Sequence, residues 1–570
     1  MFNFTIYNTE FMHLLRPFFM ISLILLFTES QAQDPGVVLN TEDAFDGYTL
    51  FAPSSANGSY LIDNCGHVVN KWESEFKPGL ATYLDTKGNL VRSKRIFGNV
   101  FNAGGLGGGI EKFDWDGKLL WSVEIADETQ HQHHDFEILP NGNILVLAWD
   151  RKSATEALEY GRISNLIPSN GLWPEKIVEI KPIGIDSSEV VWEWFLWDHL
   201  IQDIDSLTRN FGDVAANPGK LDINFFGGED FPGSAQADWI HANSLDYNPQ
   251  LDQILFSSRN LNEIFVIDHS TTTQQAATSQ GGKYGKGGDF LYRFGNPQSY
   301  KMGNENDKLL YNQHDANWVE AGLPGEGNIM YFNNGIGRPV GNISTVDEIV
   351  PPIDADGNYI LDGGVFGPKD IEWSYGLEEN DLEFFSLRIS GVQRQPNGNT
   401  LICVGNDGAF IEVGQDRAVD WYYINPLRSG LPVSKGQELT QNEVFRAYKY
   451  GPEFEGFNNR TLTPGDRLEE SDNPVPCMTF STTSVANEVE KYKVRLLISN
   501  PVEASIHILQ PVTTKSSFSI FDLAGALKQK GTLQVGQSKI DASTLPKGLY
   551  IIHFQNQNVN QFSSEKFIKL

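Results

Sequence analysis

Three stretches of this chain share one pattern, in which a histidine opens a short apolar strand that runs into a tight turn and then a second apolar strand. They are His134-Asp135-Phe136-Glu137-Ile138-Leu139-Pro140-Asn141-Gly142-Asn143, His241-Ala242-Asn243-Ser244-Leu245-Asp246-Tyr247-Asn248 and His314-Asp315-Ala316-Asn317-Trp318-Val319. In the first two the turn asparagine lies seven positions after the histidine; in the third the turn is longer, around Leu323 to Asn328. A fourth copy, Ser390 to Asn397-Gly398-Asn399, carries serine where the others carry histidine, and Leu80 to Val91 makes a fifth unit. Apolar runs such as Ile144-Leu145-Val146-Leu147 and Leu401-Ile402-Cys403-Val404 follow Asn-Gly or Gly-Asn turns, which is a strong hairpin signal.

Recurrence of a strand-rich unit marks a repeat architecture. The expectation is an all-β fold, a six-bladed β-propeller, with the sixth unit hidden between Ile177 and Asn224. The innermost strand of each propeller blade runs along the central channel. Histidines at matched register on such strands then meet at one mouth of that channel.

The chain has 570 residues and a net charge of -30. That balance argues against nucleic acid or an anionic membrane as partner, since phosphate binding needs clustered Lys and Arg. It leaves room for a small anionic ligand, because a few local cations outweigh a distant screened field. Residues 1–33, with Arg16 before the apolar run Phe18 to Phe27 and a small-residue exit at Ser30-Gln31-Ala32, fit a secretory signal peptide, and Met12 is a plausible start. No stable membrane span is expected, because the run is short. Three scattered cysteines, Cys65, Cys403 and Cys477, spell no disulfide framework or metal site, so the fold is expected to stand on packing alone.

Composition changes after about Asn487. Short strands such as Ser517-Phe518-Ser519-Ile520-Phe521-Asp522 and Leu549-Tyr550-Ile551-Ile552-His553-Phe554 suggest a small C-terminal β-sandwich over 487–570, behind a main domain over 34–486. The Asn500-Pro501 opening, the Leu545-Pro546-Lys547-Gly548-Leu549-Tyr550 strand and the ending Lys566-Phe567-Ile568-Lys569 resemble the sorting domains of proteins exported by the Bacteroidetes type IX secretion system. The resemblance implies a bacterial protein, exported through the periplasm and secreted or held at the cell surface, with the secretion machinery as a partner.

Polar company gathers near the histidines: Ser258-Arg259-Asn260 on the strand returning from His241, and Asn333-Asn334-Gly335-Ile336-Gly337-Arg338 after His314. A guanidinium offers a planar fork of donors to an oxyanion, so imidazoles and arginine together describe an anion site. Asp238-Trp239-Ile240-His241-Ala242-Asn243-Ser244, Ser258-Arg259-Asn260, Gln313-His314-Asp315-Ala316 and the Pro-Asn-Gly-Asn turns resemble the bacterial arylsulfate sulfotransferases, from about Gly47 to Ala486. That resemblance implies a propeller enzyme moving a sulfuryl group from an aryl sulfate donor to a phenolic acceptor, without a nucleotide donor, cofactor or metal. It makes His314 the nucleophile and His134, His241 and Arg259 the groups that hold the sulfuryl oxygens. Asn243, Asn334 and Arg338, in the polar runs around these residues, are expected as further substrate contacts. Two departures stand out: there is no room for the extra N-terminal β-domain of some relatives, and no close cysteine pair near the active loop.

Two rival readings remain open from sequence. One is a noncatalytic propeller that binds a sulfated or anionic ligand. The other is a metal hydrolase, with His131 and His133 on one face of a strand and His134 on the other. Gly104 to Gly109 reads as a flexible loop before a strand, and His67, His199 and His269 as residues satisfying local hydrogen bonds.

Overall fold

The computed structural model describes residues 35–469 apart from 227–235, 379–380, 383 and 434–438, and beyond them 479, 495–496, 505–509, 516–522, 527–533, 539–556 and 562–569. The expected signal peptide lies outside the described residues. Among those described, no helix is long and apolar enough to cross a membrane.

Between Gly36 and Tyr450 the described residues build six antiparallel sheets of four or five strands. In chain order, five of them begin at the strands Pro78–Leu84, Gln130–Ile138, Ala242–Asn248, His314–Trp318 and Gly391–Arg394. The sixth joins chain-distant pieces: Val444–Tyr450 pairs with Tyr48–Pro53, which continues into Gly58–Asp63 and Val68–Glu73. This corrects the expectation of a hidden unit between Ile177 and Asn224. That region instead completes the sheet of His134, as Glu175–Ile183 and Ser187–Phe195.

The six first strands touch in a closed cycle, each contacting the next and Val444–Tyr450 returning to Pro78–Leu84. Apolar clusters fill each gap between neighbouring sheets. Trp194 and Leu147 meet Phe256 and Phe265 in one, and Phe51 and Tyr60 meet Phe410 and Tyr423 in another. Burial of such large side chains, each worth about 1.5–3 kcal/mol, holds the ring together.

The turn residues explain the repeat. Gly88, Gly142 and Gly398 have φ of +71, +85 and +90°, the left-handed region that glycine enters freely. Preceding acceptors close the turns: Asn141 Oδ1 takes the Asn143 N–H and Asn397 Oδ1 the Asn399 N–H. The following asparagine then ties the hairpin to an acidic residue on the third strand, as Asn143 to Glu179, Asn328 to Glu348 (2.6 Å) and Asn399 to Glu412 (2.8 Å).

Cys65 is disulfide-bonded and Cys403 is a buried free thiol, so packing is not the sole support of the fold. Near the C-terminus, a three-stranded and a four-stranded sheet share one core, in which Ile506 and Ile540 meet Phe518, Ile520, Ile552 and Phe554.

Candidate active site

The first strands of the sheets do not run straight at the histidines. Leu80, His134, His241, Asp315 and Ser390 all have positive φ (103, 47, 52, 54 and 94°), which is uncommon for residues other than glycine. Pairing slips at the bulges beside them in the strands of His134, His241 and His314. A bulge re-aims a side chain. Here it overturns the alternation expected from a regular strand: His133 and His134 lie on the same side, Nδ1 to Nδ1 at 2.9 Å.

The three histidines come together. The rings of His134 and His241 are 4.7 Å apart in an edge-to-face pair, and the electrostatics of His314 include His241, Arg259 and Arg446. Each is held by a different device. His241 Nδ1 donates to Asp238 Oδ2 at 2.5 Å. His314 Nδ1 donates to Asn334 Oδ1 at 2.7 Å, while the Asn334 amide donates to the carbonyls of Ser386 (2.8 Å) and Ile389 (3.2 Å). Because that amide nitrogen is engaged by two acceptors, its oxygen must face His314, which fixes the proton on Nδ1. His314 Nε2 is then a lone pair, and it accepts the Ile389 N–H at 3.2 Å. Burial first, then Arg259, pushes the imidazole well below its usual range, against the opposing pull of Asn334. The ring is therefore neutral at pH 7.

Behind His134 lies a buried chain of contacts. His133 Nε2 meets Glu175 Oε2 at 2.8 Å, and Glu175 Oε1 accepts the Ala242 N–H at 2.8 Å. The His133 ring stacks on Trp149 at 4.2 Å. In front of His134, the glycine loop is not a loose connector. The Gly105 carbonyl accepts the His134 N–H at 2.8 Å, and a Cβ on Gly105 would fall 1.8 Å from His134 Cε1. Gly107 is packed as closely on Gln132.

Arg446, from the sixth sheet, ties the bulges together. Its Nη1 lies 2.6 Å from Asp135 Oδ2, Nε 2.9 Å from Asp315 Oδ1, and Nη2 donates to the Asn243 carbonyl at 2.7 Å. Tyr83 donates to Asp135 at 2.6 Å. Arg446 and Asp315 also wall a cavity of about 870 Å³ whose lining includes Tyr83, Glu137, Asp246 and Tyr448 and none of the three histidines.

Of the other residues singled out from sequence, Asn243 is buried with its amide donating to the Gln313 carbonyl at 2.8 Å and its Oδ1 without a protein partner. Arg259 lies beside the His241 strand, its N–H donating to the His241 carbonyl. Arg338 turns instead to Thr345 (2.9 Å) and the Tyr311 ring. His131 engages Asn99 and the Gly107 carbonyl, so neither it nor His133 presents a free ring nitrogen for a metal. His67, His199 and His269 are each bonded to a carboxylate: Asp63, Asp289, and Asp252 with Glu179. Glu175, Asp238 and Arg446 were not singled out as site residues from the sequence. The sequence signals are a carboxylate that opens the strand Glu175–Ile183, and the aspartates that follow His134 and His314, which call for a cation such as Arg446.

The family model "Arylsulfotransferase (ASST)" matches residues 54–425, and that of the secretion system C-terminal sorting domain matches 499–569. No curated protein matches the chain. Among solved structures, similar ones include a Bacteroides caccae protein of unknown function (12% identity, 71% of this chain and 98% of that one, TM-score 0.37). Another is virginiamycin B lyase from Staphylococcus aureus (10%, 70% and 87%, 0.31). A third is PorZ, a type IX secretion surface component of Porphyromonas gingivalis (9%, 90% and 64%, 0.27). These likenesses are too distant to assign an activity.

Proposed function

The chain belongs to the arylsulfotransferase family and ends in a type IX secretion sorting domain, which indicates export to the cell surface or beyond; from that premise we propose that it transfers a sulfuryl group from an aryl sulfate to a phenol through a sulfohistidine on His314. We read the six sheets, with their cyclic contacts, as a six-bladed propeller over 34–486, followed by a β-sandwich over 487–570. The observation that carries the mechanism is the state of His314: a neutral imidazole with its proton fixed on Nδ1 by Asn334 and its Nε2 lone pair bonded only by a long contact to the Ile389 N–H. In the first displacement Nε2 gives up that contact and attacks sulfur, and the S–O bond to the aryl group breaks. In the second the acceptor oxygen attacks sulfur and the S–N bond breaks, giving ping-pong kinetics.

Charge spreads over three equatorial oxygens as sulfur is transferred. Arg259 and His241 are the set that meets those oxygens, with His134 beside them at the aryl oxygen, and such preorganised groups supply much of the catalysis. Asn334 orients the nucleophile rather than binding substrate. Asn243 Oδ1, a buried acceptor without a protein partner, is suited to a phenolic hydroxyl, whereas Arg338 sits apart with Thr345. The test is 4-nitrophenol release from 4-nitrophenyl sulfate by the metal-stripped protein, with and without phenol. Release that rises with phenol supports the reading. No release with any phenol, from folded protein, overturns it.

A further inference from the structure

We infer that Glu175, His133 and His134 form a buried proton relay that hands a proton to the departing aryl oxygen in the first displacement and takes the proton of the phenolic acceptor in the second. The inference rests on the sulfotransferase reading and concerns how its protons are managed.

Hydrogen-bond stoichiometry leads to it. The 2.9 Å contact between His133 Nδ1 and His134 Nδ1 needs one proton between two nitrogens, and so does the 2.8 Å contact between His133 Nε2 and Glu175 Oε2. Glu175 Oε1 is already occupied by the Ala242 N–H, so Oε2 is the oxygen left for His133. Two arrangements satisfy both contacts with neutral imidazoles. In one, Glu175 is an ionised carboxylate, His133 carries its proton on Nε2, His134 carries its proton on Nδ1, and His134 Nε2 is a bare acceptor. In the other, Glu175 is a carboxylic acid donating to His133 Nε2, His133 donates from Nδ1 to His134, and His134 bears N–H at Nε2. They differ by one proton, and passing it along reverses both tautomers without making either ring a cation.

The surroundings favour this way of storing a proton. His133 and Glu175 side chains are both 0% exposed, so their hydrogen-bonded route outward runs through His134. Burial, then the Asp238 carboxylate, pushes the Glu175 carboxyl well above its usual range; burial holds His133 at about 3, against Asp238 and Asp135 and with His241, and keeps His134 well below its usual range. A carboxyl that readily takes a proton, beside imidazoles that resist becoming cations, is what the second arrangement needs. Trp149 stacked on His133 and Gly105 closed against His134 hold the two rings in register.

The balance closes over one cycle. In the first step the His314 Nε2–S bond forms and the S–O bond breaks, while the aryl oxygen takes the proton from His134 Nε2 and Glu175 becomes the carboxylate. In the second, the acceptor O–S bond forms and the S–N bond breaks, while the acceptor's proton passes through His134 and His133 back to Glu175. Glu175 and His133 act through His134 and do not touch substrate.

The test compares wild type with Glu175→Gln, which keeps the side-chain shape, and with His133→Gln, which interrupts the relay at its middle; circular dichroism confirms folding. Each is assayed in the first half-reaction, by rapid mixing without an acceptor, with phenyl sulfate, whose leaving group needs a proton, and 4-nitrophenyl sulfate, whose leaving group departs as the anion. A relay predicts a loss of about 10²-fold with phenyl sulfate and less than about 3-fold with 4-nitrophenyl sulfate, within the range for general acid–base catalysis. The double variant should be no worse than either single one. A loss equal for both donors in the two variants, or no loss, overturns the relay while leaving the sulfotransferase reading intact. A wild type inactive on both donors overturns that reading and the relay with it.

Discussion

Replacing Arg446 with methionine tests whether one guanidinium fixes the strands that carry the active histidines. Asp135 and Asp315 follow His134 and His314 directly, and the side chains of Arg446, Asp135 and Asp315 are 3, 0 and 3% exposed. Removing one partner of a buried pair costs about 3–5 kcal/mol, because the charge left behind is unsolvated. Here two carboxylates lose the same partner, although Asp135 keeps Tyr83 and the Leu245 N–H, and Asp315 keeps the Val392 N–H. The penalty should therefore be at least about 3 kcal/mol at pH 8. Its pH dependence follows from Asp315, whose carboxyl burial has already pushed up to about 6 beside the arginine. Without Arg446 it rises further. A carboxyl raised in the folded state binds a proton that the unfolded chain does not, so stability falls as pH rises up to its folded value. Wild type shows that fall only to about pH 6; the variant continues it above, by up to about 1.4 kcal/mol per unit. Urea unfolding followed by tryptophan fluorescence at pH 6 and pH 8 measures both quantities. A penalty below about 1 kcal/mol, the range of an exposed ion pair, or one that does not grow between the two pH values, would refute the reasoning.

Other perturbations have equally defined outcomes. Gly105→Ala puts a methyl onto the His134 ring at a φ of +81°, so turnover of 4-nitrophenyl sulfate in the presence of phenol should drop by more than about 10-fold with little change in circular dichroism; unchanged kinetics would show that the loop does not press on His134. Arg259→Ala should lower kcat/KM by about 10²-fold or more, measured with the same donor, and an effect confined to KM would place Arg259 outside the transition state. His269 is pushed up to about 9, because Asp252 and Glu179 outweigh burial, so its stabilisation is fully present below the ordinary histidine value and is lost as pH rises through about 9. His269→Asn should then lower the melting temperature at pH 7 and make little difference at pH 10, as read by differential scanning calorimetry.

Much of the fold was legible because each hairpin advertises itself. The Asn-Gly-Asn turns place glycine where φ is positive and asparagine where it can reach an acid on the third strand, so their spacing marks the units. The sixth sheet was missed for a topological reason: its strand Val444–Tyr450 finds its partner Tyr48–Pro53 at the opposite end of the chain, and it carries no histidine. The site was legible in part. Matched register brought His134, His241 and His314 together, but a regular strand predicts the wrong side for His134, because the bulge that re-aims it has no sequence signature of its own. Glu175 and Asp238 gain meaning only once strands far apart in the chain are packed side by side, and the glycine loop only once Gly105 is seen against the imidazole.

The most direct measurement mixes the protein rapidly with 4-nitrophenyl sulfate and no acceptor, then reads the 4-nitrophenol burst and the intact mass together. The account predicts one equivalent of 4-nitrophenol per active site and the mass gain of a single SO3, located on the peptide that holds His314, discharged by added phenol and absent in His314→Asn. Steady turnover without any adduct, or a full burst from His314→Asn, would contradict it.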